Sequence, residues 1–252
     1  MPTSTLKVAT YNIHKGLSPL NRKLIIHEVR EHLHDCDAEI VFLQEVQGEH
    51  AKSEARFDDW PDAAQHEHIA EGKYHDIVYG VNARHRHGHH GNAILSAYPI
   101  HSWTNRDVSH HRFESRGHLM TRIEVPGWKE NVTCVCVHLG LFAVSRRVQI
   151  GKLVEFLRES VPDHGPLIVA GDFNDWLSAK SRASKKLFDE LGLVEAFEHI
   201  EGKPARTFPA VLPMLALDRI YVRGLKVKSV GRLQGHRGLS DHLGLTVELQ
   251  QG

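Results

Sequence analysis

The sequence predicts a layered α/β fold, and three observations carry the prediction. Apolar, β-branched segments of strand length recur along the chain, amphipathic helical segments stand between some of them, and 252 residues suit one large α/β domain better than two small ones. No linker rich in Ser, Gly or Pro divides the chain, so residues 1–252 are expected to form a single domain.

Taken in order, strands are expected at LKVATYNI, AEIVFLQEV, DIVYGV, NAILSAYP, LMTRIEVP, NVTCVCVHL, PLIVAGDF, LDRIYVRG and GLTVEL, whose character is that of segments buried on at least one face. After the first strand, NRKLIIHEVREHLH repeats Leu24, Ile25, Val29 and Leu33 at helical spacing. After NVTCVCVHL, SRRVQIGKLVEFLRES does the same with Val148, Leu153, Val154 and Leu157. The polar stretches 48–73, 104–118 and 201–213 read as long surface loops, and loops of that length are often functional.

Acidic and basic residues balance at 31 each, so the strong basic excess of a dedicated nucleic-acid binder is missing. The 21 histidines should make the molecule cationic in mild acid. The N-terminus lacks a signal-peptide pattern and no run approaches the ~18 apolar residues of a membrane span, which predicts a soluble, cytoplasmic protein. Cys134 and Cys136 alternate along one strand and read as buried free thiols, with Cys36 an ordinary third.

One theme recurs: an apolar strand ends in a polar residue of catalytic type. It happens at Asn12, Glu45, His138, Asp172 with Asn174, and Asp218, while Asp241 and His242 precede the final strand. Strand ends in layered α/β folds open onto a common edge, so these side chains can converge. Their carboxylates and amides suit a hard cation, Mg²⁺ or Mn²⁺, and the added imidazoles suit cleavage of a phosphoester better than metal storage. Taken singly, each has a bland reading: Glu45 or Asp218 as a salt-bridged residue, GDFND as a tight turn, His138 as a satisfied strand-end histidine.

The ordered set TYNIHKG, LQEV, GNAILS, VHLGL, GDFND, LDRIYV and SDHLGL, spanning Tyr11 to Leu245, resembles the endonuclease/exonuclease/phosphatase family, the DNase I-like fold, in its small bacterial form. The resemblance implies a four-layered α/β sandwich, two mixed β-sheets face to face with helices outside, and Mg²⁺-dependent hydrolysis of phosphodiesters. It implies Glu45 as main metal ligand with Asn12 in support, Asp172 acting on the attacking water, and Asn174 on a phosphoryl oxygen. His242 would face the phosphate with Asp241 fixing its orientation, and His138 would donate to another oxygen with Asp218 holding its ring or assisting the metal. Asn92 and Arg116 would belong to the substrate-binding part of the site.

The core motifs do not choose among the family's substrates. His85, His87, His89 and His90 precede GNAILS and read as a solvated loop; His110, His111 and Arg112 lie in a similar segment, and for Arg116 an ion pair with Glu114 is the alternative role. Phe208, Leu212, Pro213, Met214 and Leu215 could form an apolar lip, although core packing is preferred there, as it is for Phe173 and Trp176. Lys180, Arg182, Lys185 and Lys186 are the best nucleic-acid feature. The expected activity is nuclease-type phosphodiester hydrolysis; the alternative is a phospholipid or phosphoinositide substrate at the same site, and a non-catalytic scaffold is disfavoured because no expected position is lost.

Overall fold

The computed structural model describes residues 5–176, 188–233 and 238–252. Two mixed six-stranded sheets face each other. The first runs β11-β12-β1-β2-β4-β3 and the second β5-β6-β7-β8-β10-β9. Their strands are β1 (Leu6–Asn12), β2 (Ile40–His50), β3 (Asp76–His85), β4 (Gly88–Ser96), β11 (Leu225–Arg232) and β12 (Leu245–Gln251), then β5 (Ile100–Asp107), β6 (Gly117–Ile123), β7 (Val132–His138), β8 (Leu167–Asp172), β9 (Val194–Glu195) and β10 (Asp218–Arg223).

Each sheet has one parallel pair at its centre, β1/β2 and β7/β8, and each pair is bridged by a helix: α1 (Ile26–Asp35) in the first, α4 (Ala143–Ser160) in the second. Short helices α2 (Ala51–Glu54), α3 (Gln65–Ala70) and α5 (Ala196–Glu201) complete the described elements. Parallel pairing carries a direct consequence for the site. Asn12 and Glu45 emerge at one edge of the first sheet, His138 and Asp172 are register partners at the matching edge of the second, and antiparallel β10 begins there with Asp218 opposite Asp172.

The continuous apolar runs reflect strands buried on both faces. Val8, Ile40, Phe42 and Ile94 meet Leu119, Cys134, Cys136, Ile168 and Ala170 between the sheets. Alternate residues Ala9, Val41 and Leu43 pack under α1 and α3, while Val135, Val137 and Val169 pack under Ile150, Leu153 and Leu157 of α4. Cys134 and Cys136 are buried free thiols on the inner face, as expected. No helix among the described residues is long and apolar enough to cross a membrane.

Three expectations need correction. The histidine-rich segment is a β-hairpin, not a loop: β3 runs to His85 and β4 starts at Gly88, because pairing extends past the apolar part of each strand. The stretch 48–73 contains α2 and α3, and 104–118 contains the end of β5, an exposed edge strand that alternation could not reveal. Strand β11, another edge, was missed for the same reason. The basic run from Lys180 to Lys186 lies outside the described residues.

Candidate active site

Asp172 sits at the centre of the polar strand ends. Its position depends on Gly171 (φ 144), where a Cβ would come within 2.0 Å of the Val137 carbonyl oxygen, so only glycine lets β8 approach β7 this closely. Asp172 Oδ2 accepts from Asn12 Nδ2 at 3.1 Å, and Oδ1 accepts from the Asn174 backbone N–H at 2.9 Å. His138 Nε2 stands 3.6 Å and His242 Nε2 3.9 Å from Oδ2. On its far side, His242 pairs through Nδ1 with Asp218 Oδ2 at 2.9 Å, while the Asp218 backbone N–H donates to Thr207 Oγ1 at 3.3 Å. The result is a buried row, Asp218–His242–Asp172.

One imidazole of the pair is charged and the other neutral. Burial opposes ionisation of His242, but the carboxylates of Asp218 and Asp172 and the hydrogen bond that His242 donates to Asp218 outweigh it and lift the group to about 10, so it is an imidazolium at neutral pH. Burial pushes His138 well below its ordinary range, and the positive charges of Arg116, His242 and Lys15 push the same way. His138 is therefore neutral. Burial also raises Asp172 to about 7, against the pull of the His242 cation.

Glu45 stands at the open side of this row. A bulge between β2 and β4 absorbs one extra residue, and Glu45 takes φ 57, a conformation unusual for a non-glycine. Leu43 and Val46 thus both reach the outer core while Glu45 is turned toward the site. Its carboxylate is half-buried and loosely held: Asn12 Nδ2 lies 3.5 Å, Lys15 Nζ 3.9 Å and His138 Nε2 4.0 Å away. A desolvated carboxylate without a close partner, on a strained backbone, is the group in this site that best fits a divalent cation. Asp172, Asp218 and His242 also bring potential ligand atoms within 4.8 Å of one another, but an imidazolium has no lone pair to offer while it holds its proton.

Several expected partnerships change. Asp218, not Asp241, holds His242; Asp241 instead receives His14 Nδ1 at 3.3 Å, because the last turn before β12 directs its carboxylate toward the chain leaving β1. Asn174, in a left-handed turn (φ 50), donates its side-chain amide to the Leu139 carbonyl at 3.0 Å, so that N–H bond supports the turn and not a phosphoryl oxygen. Asn92 is wholly enclosed. Its amide donates to Gly117 O at 3.1 Å and Cys136 O at 3.5 Å, joining the two sheets and removing it from contact with substrate. Among the described residues Arg116 makes no ion pair with Glu114; its Nε donates to Leu139 O at 3.2 Å, beside the site. Phe173 is core, but Trp176 is exposed under the Arg146 guanidinium, and Leu212 and Met214 are exposed as well.

Other residues joined the site unannounced. His14 and Lys15, with φ 46 and 61, lead into Gly16 at φ 67, three successive left-handed residues that begin two positions after Asn12. Left-handed backbone at His14 and Lys15 costs on the order of 1–2 kcal/mol per residue unless it is held. Asn12 Oδ1 accepts from His14 N at 3.1 Å, and Gln65 of α3, wholly buried, donates to the Lys15 carbonyl at 2.8 Å while accepting from Gln47 N at 2.9 Å. Gln65 thereby clamps the turn to β2 just beyond Glu45. His90 lies with the cationic Lys15 and Arg116 among the groups that hold the His138 pKa down. The NIHKG turn was visible in sequence as a motif; Gln65, in a stretch without periodicity, carried no signal.

Two facing mixed sheets with this polar cluster at one edge are the architecture of a known family: residues 9–242 match the model of the Endonuclease/Exonuclease/phosphatase family, and the chain belongs to that family. It is 43% identical over 255 residues to the uncharacterized protein YbhP of Escherichia coli K12, covering 99% of each chain. Among solved structures, an endonuclease/exonuclease/phosphatase from Beutenbergia cavernae superposes with a TM-score of 0.82 at 19% identity, covering 99% of this chain and 72% of that one. D. rerio TDP2 complexed with a single-strand DNA product superposes at 0.68 with 14% identity, covering 99% and 100%. These two likenesses are likenesses of fold.

Proposed function

We propose that the chain hydrolyses phosphodiester bonds with the help of a divalent cation, Mg²⁺ or Mn²⁺, and the observation that carries this is the row Asp218–His242–Asp172 beside the loosely held Glu45. Glu45, with Asn12 in support, would hold the cation, which would neutralise charge on the phosphoryl oxygens. The remaining work falls to side chains. Asp172, lifted toward neutrality by burial, takes the proton of the attacking water, and Asn12 and the Asn174 backbone fix its two oxygens. His242, locked by Asp218, presents Nε2–H as a charged donor where oxygen charge builds up, and neutral His138 donates to a second oxygen. Asp241 steadies His14 beside Asn12, and Arg116 adds positive charge at the rim.

Nucleic acid is one substrate class to test, in view of the DNA bound by the TDP2 relative. A phospholipid is the second, favoured by the apolar side chains exposed around the site. Hydrolysis of bis(p-nitrophenyl) phosphate and nicking of supercoiled plasmid, each with Mg²⁺, with EDTA and with Asp172→Ala, test the reading. Turnover that survives EDTA or the variant sinks it.

A further inference from the structure

Eight of the twelve large apolar side chains exposed among the described residues lie on four segments at the catalytic edge. Phe113 (81% exposed) precedes β6; Leu141, Phe142 (69%) and Val144 lead into α4; Trp176 follows β8; and Val211, Leu212 (65%) and Met214 precede β10. The register puts all four at one edge, since β7 and β8 end there while antiparallel β6 and β10 begin there. Hydrogen bonds tie the first three segments into one rim. Gln149 accepts from Gly140 N at 2.7 Å and donates to Glu114 at 2.8 Å, and Leu139 O receives both Arg116 and Asn174. The fourth closes the ring through Phe208, whose ring lies 5.1 Å from that of His242.

We infer that this rim docks the protein on a phospholipid bilayer, with the catalytic mouth facing the lipid head groups. Singly projecting Phe, Leu, Val and Met tips are suited to insertion among acyl chains. Behind them, segments 109–116, 139–147, 173–176 and 204–217 hold five arginines (Arg112, Arg116, Arg146, Arg147, Arg206) against two acidic residues, in a chain whose total charge is zero. Both acids are already engaged, Glu114 by Gln149 and Asp175 by the buried Arg146 at 3.9 Å, which leaves four arginines to face outward charge. That excess complements an anionic surface. A protein covering the rim would seal the mouth, and a nucleic acid held by its phosphates would need cations at the tips where apolar groups stand. A bilayer instead presents phosphodiesters to the cluster beneath, a consequence that rests on the hydrolase reading although the docking surface does not.

The test is co-sedimentation with mixed phosphatidylcholine–phosphatidylglycerol vesicles of wild type and of the triple variant Phe113→Ser, Phe142→Ser, Leu212→Ser, with bis(p-nitrophenyl) phosphate hydrolysis measured on both. Wild type should pellet with vesicles, the variant should bind them roughly a hundredfold more weakly, and hydrolysis of the soluble diester should be unchanged between them. Wild type that stays in the supernatant, or a variant that pellets equally well, overturns the inference. So does a rim whose substitution weakens single-strand oligonucleotide binding and not vesicle binding, or abolishes a dimer seen by light scattering without lipid. Vesicle docking lost in the variant supports the inference even where neither protein cleaves the soluble diester, an outcome that sinks the hydrolase reading alone.

Discussion

His118 offers a measurable link between a single buried ring and the acid stability of the whole molecule. It lies on β6 on the same face as Met120, wholly buried, and neither ring nitrogen has a hydrogen-bond partner among the described residues. Burial, reinforced by the charges of Lys152 and Arg106, pushes it down to about 3. Above the ordinary value of about 6.5 both folded and unfolded chains keep the ring neutral, and stability is full. As pH falls, the unfolded chain takes up a proton that the folded chain refuses until about pH 3, so stability is lost across that window. Between about pH 7 and pH 5 this one group should cost ~2 kcal/mol, from ~1.4 kcal/mol per pH unit once the unfolded ring is protonated. His66 and His90, each lowered to about 4 chiefly by burial, act in the same direction. His118→Leu should therefore raise stability at pH 5 relative to wild type and flatten the pH dependence by ~2 kcal/mol over that interval. Urea unfolding followed by circular dichroism at the two pH values measures it. An equal decline in variant and wild type would refute the buried-neutral assignment.

Asp218→Asn should drop the His242 titration by at least ~1 pH unit in imidazole NMR and slow diester hydrolysis ~10²–10⁴-fold; an unshifted resonance removes Asp218 as its partner. Because His242 is raised to about 10, the stability it contributes is complete below about pH 6.5 and declines as pH climbs through 10. Glu45→Gln should raise the Mg²⁺ concentration needed for half-maximal activity ~10-fold or more, and an identical Mg²⁺ titration sinks the ligand assignment. Gln65→Glu keeps the acceptor for Gln47 N but loses the donor to the Lys15 carbonyl, so it should retain more activity than Gln65→Leu, which loses both. Equal activity of the two variants would show that the clamp does not matter.

The layers were legible because burial on both faces writes itself into runs such as IVFL and TCVCV, and the site was legible because its residues end those runs. What stayed hidden depends on backbone irregularity or on contacts between distant segments. The bulge that turns Glu45 inward leaves no trace in LQEV. The exchange of partners that gives His242 to Asp218 and His14 to Asp241 is decided by the path of the chain before β12, not by the adjacency of Asp241 and His242. Asn92 misled because an amide in a motif reads as a contact to substrate, when its chemistry serves to satisfy two carbonyls between sheets. The apolar rim read as core since a sequence cannot say whether Leu212 or Met214 points in or out.

The Ser240 hydroxyl donates to the Asn12 carbonyl at 2.7 Å across 228 positions, and β1 is flanked in its sheet by β2 and by β12, the last strand. During synthesis the amino-terminal strand must wait with one edge unpaired until the carboxy-terminal residues arrive. Asp218 and His242 emerge late as well, so a chain still growing on the ribosome holds Asn12 and Glu45 but nothing that completes the row. A polypeptide that stops short of His242 lacks the residue that joins Asp218 to Asp172.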